Sequence, residues 1–89
     1  MPSYEIIVQR SAERELRKLP RDVQRRFAVA VDLLREDPRR PRPGCDVRLL
    51  SGLTTTWRLR VGDYRGFYVI AGMAVIFTKF GHRSNVYRF

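Results

Sequence analysis

The chain has 89 residues, a formal net charge of +9 at pH 7 and one cysteine, Cys45. This length predicts one domain, residues 1–89, and the lone cysteine excludes an intrachain disulfide and suits a reducing compartment. No stretch approaches the roughly 20 consecutive apolar residues of a membrane span, and the N-terminus lacks the layout of a signal peptide. We therefore expect a cytoplasmic protein that does not enter a membrane.

The two halves of the chain differ in how far acidic residues balance the basic ones. Residues 1–45 carry eleven Lys or Arg against seven Asp or Glu, a net of +4, whereas residues 46–89 carry seven against two, a net of +5. The mixed charges of the first half are typical of solvated helix faces. The nearly unopposed charge of the second half predicts a polyanionic partner, although charge alone does not name it.

The first half predicts a strand and two helices. Tyr4–Gln9 alternates apolar and polar residues, as a half-buried strand does. Ser11 is placed to cap a short helix that reaches about Leu19 and is ended by Pro20. A second helix, from about Arg21 to Glu36, brings its apolar residues to one face: Val23, Phe27, Ala30, Val31 and Leu34.

The second half predicts a loop followed by four strands. Residues 37–44 contain three prolines and three arginines and should form the loop. Gly62-Asp63 is a hairpin turn signal, and the tail, residues 81–89, is expected to extend the last strand. The strands are Asp46–Leu50, Thr55–Val61, Tyr64–Ile70 and Val75–Phe80. The order of elements predicts an α+β fold in which the helical hairpin covers one face of a sheet.

Four arginines and a tyrosine in the second half form a candidate site. Arg58 and Arg60 alternate with apolar residues, so they should share the exposed face of a strand. Arg65 opens the next strand, and Arg83 and Tyr87 follow the last one. A sheet could bring these side chains onto one concave surface. Guanidinium groups match phosphate geometry, which indicates an RNA or DNA backbone as the partner.

Four segments of the chain resemble the RelE/ParE toxin superfamily of bacterial and archaeal toxin–antitoxin systems. They are Ser11–Pro20, Leu50–Leu53, Trp57–Arg65 and Gly81–Tyr87. The arginine-rich third segment followed by Gly-His-Arg and Val-Tyr is specific in combination, and the match covers essentially the whole chain. The resemblance implies a RelE-like fold, with an N-terminal strand and two-helix hairpin packed on a small, twisted, mainly antiparallel sheet.

The RelE branch of this superfamily consists of ribosome-dependent endoribonucleases. These toxins cut mRNA in the ribosomal A site and so inhibit translation. By position, the resemblance implies catalytic roles for Arg65, Arg83 and Tyr87 and RNA phosphate binding by Arg58 and Arg60. It implies no metal ion and no other cofactor.

Metal-free cleavage uses the RNA 2′-hydroxyl as the nucleophile on the adjacent phosphate. The arginines suit charge stabilisation and phosphate positioning, but a proton must also be removed. Parts of the family carry lysine at the positions of Arg58 and Arg60, and lysine can act as a base. Arginine cannot, because its pKa lies above about 12. Proton removal would then fall to Tyr87, to His82 or to a group of the RNA or ribosome.

The resemblance also implies partners and leaves other functions open. We expect a cognate RelB-like antitoxin that supplies an acidic, amphipathic segment and forms a toxin–antitoxin hetero-oligomer, in addition to the ribosome and mRNA. One alternative is a DNA gyrase inhibitor of the ParE branch, which keeps the fold and generally lacks the full arginine set. Another is a noncatalytic RNA- or ribosome-binding module.

Overall fold

A computed structural model describes residues 3–50 and 55–86, so Tyr87 and residues 51–54 lie outside the described part of the chain. The described residues form a five-stranded sheet and three helices. The strands are β1 (Glu5–Val8), β2 (Asp46–Leu49), β3 (Trp57–Val61), β4 (Tyr64–Ala71) and β5 (Ala74–His82). The helices are α1 (Arg10–Arg17), α2 (Arg21–Leu34) and α3 (Arg83–Val86). None of the described helices has the length and apolar content needed to cross a bilayer.

The sheet has the strand order β1-β5-β4-β3-β2. β1 runs parallel to β5, and the remaining neighbours are antiparallel, so the expected α+β fold with a mainly antiparallel sheet is confirmed. The β3–β4 hairpin turns at Gly62-Asp63, as predicted. Gly62 has φ +58°, which places glycine first in a two-residue turn, where a positive φ is needed.

The two long helices cover one face of the sheet and form the core with it. α2 buries Val23, Phe27, Ala30 and Leu34, which are four of the five residues predicted for its apolar face. On the sheet side, the Phe77 and Phe80 rings stack at 5.0 Å, and Phe27 meets Phe80 edge to face at 5.1 Å. The apolar periodicity of the sequence therefore located the covered face correctly.

Most predicted element ends differ from the observed ones by one or two residues, and two of these differences have a clear physical cause. Ser11 does not cap α1: the helix begins at Arg10, with Gln9 as the N-cap and no side-chain cap hydrogen bond. Gln9 still donates its amide to the Phe77 carbonyl, so pairing with β5 sets where the strand ends and the helix starts. The last strand ends at His82, and Arg83 then begins a short helix, α3, because Val86 folds back and is buried on Gly81.

The proline-rich loop before β2 is held by its own side chains. Arg42 donates from Nη1 to the carbonyls of Asp37 (3.1 Å) and Arg40 (2.6 Å), and from Nη2 to the Leu33 carbonyl near the end of α2. The bond to Leu33 ties the loop to the last turn of α2, and the other two hold the loop to itself. The Tyr68 hydroxyl donates to the Pro38 carbonyl at 2.6 Å. The loop thereby fixes where β2 enters the sheet.

Candidate active site

The uncovered face of the sheet carries the predicted arginines. In the β3–β4 register, Arg60 lies opposite Arg65 and Arg58 lies opposite Phe67. In the β2–β3 register, Asp46 lies opposite Arg60. Leu59 and Val61, between and beside the arginines of β3, are buried against the helices. Alternation along β3 therefore places Arg58 and Arg60 on one face, as the sequence predicted.

Arg60 and Arg65 converge on one backbone oxygen. Arg60 Nε donates to the Gly62 carbonyl at 3.3 Å, and Arg65 Nη1 donates to the same carbonyl at 2.8 Å and to the Tyr64 carbonyl at 3.0 Å. The hairpin turn thus holds two guanidinium groups side by side beside an open surface. Two adjacent cations repel each other, and an anion placed between them would relieve that repulsion.

Asp46 links Arg58 to Arg60. Its Oδ1 accepts a hydrogen bond from Arg58 Nη2 at 2.8 Å, and its Oδ2 lies 3.8 Å from Arg60 Nη1. The Arg58 side chain is only 14% exposed, whereas that of Arg60 is 52% exposed. The two arginines are therefore in different environments although they are neighbours on one strand.

Arg83 joins the group from the other side of the hairpin turn. Its backbone amide donates to the Asp63 carbonyl at 2.8 Å, and its Nε lies 3.6 Å from Asp63 Oδ1. We call Arg58, Arg60, Arg65 and Arg83 the arginine cluster. Asp46, Gly62 and Asp63 connect all four members, and they do so around a single β-hairpin.

His82 caps α3 in this arrangement. The Ser84 backbone amide donates to His82 Nδ1 at 3.1 Å, and the Ser84 hydroxyl lies 2.8 Å from the same nitrogen. The Tyr64 ring packs edge to face on the imidazole at 5.3 Å. Because Nδ1 accepts, the neutral ring carries its proton on Nε2. This geometry favours a structural role for His82 over the catalytic role that the sequence left open.

Two polar atoms of the arginine cluster lack a hydrogen-bond partner within residues 3–50 and 55–86. Arg58 Nε and Arg65 Nε are enclosed, and neither has a hydrogen-bond acceptor among the described residues. Burial without a partner is unusual for so strong a donor, and it leaves these two N–H groups able to donate to an anion or a water molecule. Tyr87, the predicted proton-transfer residue, lies outside the described residues.

The described residues hold no group of three or more His, Cys, Asp or Glu side chains suited to a metal ion. Cys45 is buried, and burial raises the pKa of its thiol, which disfavours the reactive thiolate. We therefore assign Cys45 to the core.

Sequence reasoning missed Asp46 and Asp63 as parts of the site. Asp63 is predicted from the sequence as a turn residue and Asp46 as the start of a strand, and neither is assigned to the site there. A signal for Asp46 was present, because an acidic residue one strand away from two exposed arginines is a natural cross-strand partner. The Gly62 carbonyl gave no such signal, since every residue has a carbonyl.

A model of the ParE toxin of type II toxin–antitoxin systems matches residues 6–87 of the chain. Comparison with curated protein sequences finds no match. A chain in the RelE–RelB complex of Pyrococcus horikoshii OT3 is 28% identical, with a TM-score of 0.77 over 94% of this chain and 99% of that one. A chain in the RelBE2 toxin–antitoxin complex of Mycobacterium tuberculosis is 27% identical, with a TM-score of 0.75 over 91% and 99%.

Free Escherichia coli RelE, solved as a mutant, is 22% identical, with a TM-score of 0.66 over 94% of this chain and 87% of that one, which supports the fold alone. The RelE-like fold expected from the sequence is thereby confirmed. Because the matching model spans most of its length, the chain belongs to the ParE toxin family, within the RelE/ParE superfamily, and is a toxin of a type II toxin–antitoxin system.

Proposed function

We propose that this toxin is a ribosome-dependent endoribonuclease that cuts mRNA in the A site. The observation that carries the proposal is the convergence of Arg60 and Arg65 on the Gly62 carbonyl, with Arg58 and Arg83 tied to the same hairpin. Several guanidinium groups on one open face match a chain of phosphates. Identities of 28% and 27% to chains of RelE–RelB and RelBE2 complexes give further support.

In the proposed reaction, the RNA 2′-oxygen attacks the adjacent phosphorus while the bond from phosphorus to the 5′-oxygen breaks. The 2′-hydroxyl loses its proton and the leaving 5′-oxygen gains one, which gives a 2′,3′-cyclic phosphate and a 5′-hydroxyl. Arg65 and Arg83 stabilise the charge on the phosphoryl oxygens, and each such donor contributes roughly 10²–10³ in rate. Arg58 and Arg60 position the neighbouring phosphates, and Tyr87 transfers a proton.

The pairing within the arginine cluster supports a need for the ribosome. The four arginines and Arg48, which lies opposite Arg58 on β2, share this face with two carboxylates, Asp46 and Asp63, so the local net charge is +3 (five minus two) rather than +5. Fewer net charges release fewer counterions, so free RNA should bind weakly. A ribosome would present the mRNA already positioned, so the entropy cost of orienting the RNA would be met before the toxin acts.

A groove beside the arginine cluster supports an acidic antitoxin partner. It has a volume of about 410 Å³ and runs between α2 and the β2–β3 end of the sheet. Val29, 67% exposed, gives it an apolar wall, and Arg26 and Arg60 lie along it. An amphipathic segment could bury apolar side chains there and place acidic ones against the two arginines. The complex of a 28% identical chain with RelB supports a toxin–antitoxin hetero-oligomer, which we expect in the cytoplasm.

The decisive experiment incubates a defined mRNA with the purified protein, with and without programmed ribosomes whose A site is empty. We expect cuts that map to the A site only when ribosomes are present, with 2′,3′-cyclic phosphate ends. Intact mRNA in both reactions would overturn the proposal. RNA binding without cleavage would instead identify a noncatalytic RNA-binding module.

The ParE description of the matching family model favours a second candidate, a DNA gyrase inhibitor. Gyrase inhibition depends on contacts between the toxin and gyrase, and it does not require the toxin to cleave a phosphodiester bond. Its test is supercoiling by purified gyrase with added toxin, together with recovery of gyrase-linked DNA. Inhibition that persists in Arg65→Ala, with mRNA intact, would favour gyrase over the ribosome.

A further inference from the structure

Asp46 bridges two members of the arginine cluster, Arg58 and Arg60, and carries the opposite charge. It gives one carboxylate oxygen to Arg58 at 2.8 Å and turns the other toward Arg60 at 3.8 Å. Among the described residues, Asp46 is the only hydrogen-bond acceptor of the Arg58 guanidinium, whose Nε is enclosed without a partner. Within the described residues, the placement of the Arg58 guanidinium therefore depends on one carboxylate.

The two arginines respond differently to the loss of that carboxylate. Arg58 is 14% exposed, so water cannot replace a missing partner, and an enclosed charge without its counter-ion is strongly unfavourable. Arg60 is 52% exposed, and its longer contact with Asp46 is of the kind that contributes little in water. Arg60 can thus exchange the carboxylate for a phosphate, whereas Arg58 must keep it.

We propose that Asp46 is a positioning residue for cleavage: it fixes Arg58 beside Arg60 and so sets the spacing at which these two arginines meet neighbouring RNA phosphates. The inference rests on the proposed endoribonuclease function. The negative charge of Asp46 also lowers the net positive charge of this surface by one unit. Asp46 should therefore weaken RNA binding while it accelerates the reaction, and these opposite effects separate positioning from a purely structural role.

The test compares Asp46→Asn with Asp46→Glu. Asparagine keeps a hydrogen-bond acceptor for Arg58 and loses the charge, whereas glutamate keeps the charge. We expect Asp46→Asn to bind single-stranded RNA more tightly, with a steeper salt dependence. We expect its kcat for ribosome-dependent cleavage to fall about tenfold, because a misplaced group lowers the rate steeply. Asp46→Glu should lie nearer to the wild type in both measurements.

Asp32→Asn is the matched control. Asp32 also pairs with an arginine, Arg35, at 3.2 Å, but it lies on α2, away from the arginine cluster. The control makes the same change in net charge. It should raise nonspecific RNA binding and leave kcat unchanged. Equal loss of cleavage in both variants would assign the effect to net charge and overturn the positioning role.

Nuclear magnetic resonance gives a readout that does not need cleavage. The enclosed Arg58 Nε–H should exchange slowly with water and give a resolved arginine signal, which Arg58→Lys would remove and so assign. In Asp46→Asn this signal should move and exchange faster. If wild-type protein leaves mRNA intact on ribosomes, the proposed function fails, while this spectrum still decides whether Asp46 holds Arg58.

Three results would overturn the proposal. An unchanged Arg58 signal in Asp46→Asn would show that the carboxylate does not place the guanidinium. Faster cleavage by Asp46→Asn would make Asp46 a competitor of the substrate phosphate. Loss of all cleavage in Asp46→Asn, with the Arg58 signal in its wild-type position, would make the carboxylate a proton acceptor.

Discussion

The two faces of the sheet differ in whether their buried polar groups have hydrogen-bond partners. On the face covered by α1 and α2, Leu59, Tyr68 and Phe77 are fully buried, and the Tyr68 hydroxyl has its hydrogen-bond acceptor. On the open face, Arg58 and Arg65 each keep an enclosed Nε without a partner among the described residues. One face is therefore packed by apolar side chains, whereas the other buries Phe67 and Val86 beside arginines whose enclosed N–H groups lack partners among the described residues.

The contrast indicates that stability and activity reside on different sides of the same strands. Leu59 and Arg60 are adjacent in sequence, yet the first lies in the core and the second is 52% exposed. Packing on the covered face fixes the backbone of the strands, and the position of that backbone determines where the arginine side chains lie on the open face. Changes on the covered face should therefore affect unfolding, and changes on the open face should affect cleavage.

The largest effect on stability is expected for Phe27→Ala. The Phe27 ring is buried and meets Phe80 edge to face, so truncation leaves a cavity and should reduce the free energy of unfolding by about 3–5 kcal/mol. Urea unfolding followed by circular dichroism measures this loss. Val29→Ala is the matched control on the same helix, because Val29 is 67% exposed. Equal effects of the two changes would contradict the assignment of the covered face.

Arg65→Ala tests the open face. Arg65 bonds only backbone carbonyls of its own hairpin in the described structure, and its removal should lower ribosome-dependent cleavage by about 10²–10³. Its free energy of unfolding in urea should stay within about 0.5 kcal/mol of the wild type, because the side chain takes no part in the apolar core. Arg35→Ala, the same charge change on the far side, should leave cleavage intact. Wild-type cleavage by Arg65→Ala would refute the catalytic assignment.

Periodicity explains how much of this contrast the sequence could predict. Alternation along β3 and the 3.6-residue pattern of α2 report burial residue by residue, so both faces were identified from the sequence. The start of α1 was missed because the Gln9–Phe77 hydrogen bond, between residues 68 positions apart (77 − 9), decides it. The role of Asp46 was missed because it depends on strand register, which alternation does not specify.

Gly66→Ala tests how closely the two faces are coupled. Gly66 lies between Arg65 and Phe67 on β4, and a Cβ there would come within 2.7 Å of the Phe80 ring and 3.2 Å of the Phe77 ring. Overpacking of this kind costs about 1–3 kcal/mol. We expect that loss in urea unfolding, together with weaker cleavage, because the strand that carries Arg65 must shift.

Gly72→Ala is the comparison for that experiment. Gly72 has no atom within 4 Å of an added Cβ, so its substitution strains only the backbone, at φ +58°. The turn that contains Gly72 joins β4 to β5 at the end opposite Arg65, and cleavage should be retained. Normal cleavage by Gly66→Ala would mean that the open face tolerates displacement of β4.

Tyr68→Phe should have the smallest effect and is the most specific test of the covered face. It removes the 2.6 Å hydrogen bond to the Pro38 carbonyl and little volume, so we expect a loss of about 1 kcal/mol in the free energy of unfolding. Burial raises the pKa of the Tyr68 phenol above its usual value near 10. The folded state therefore retains the phenolic proton at a pH where the unfolded chain loses it.

The sign of the pH dependence follows from this difference. The contribution of the neutral phenol is complete below pH 10 and falls as the pH rises from 10 toward the raised pKa of the folded state. Wild-type stability should therefore fall above pH 10 more steeply than that of Tyr68→Phe, and the gap between them should narrow. Tyr64→Phe, at the half-buried edge of the hairpin, controls for ionisation of the other tyrosines. A constant gap across pH 9–11 would show that Tyr68 ionises as easily in the folded protein as in the unfolded chain.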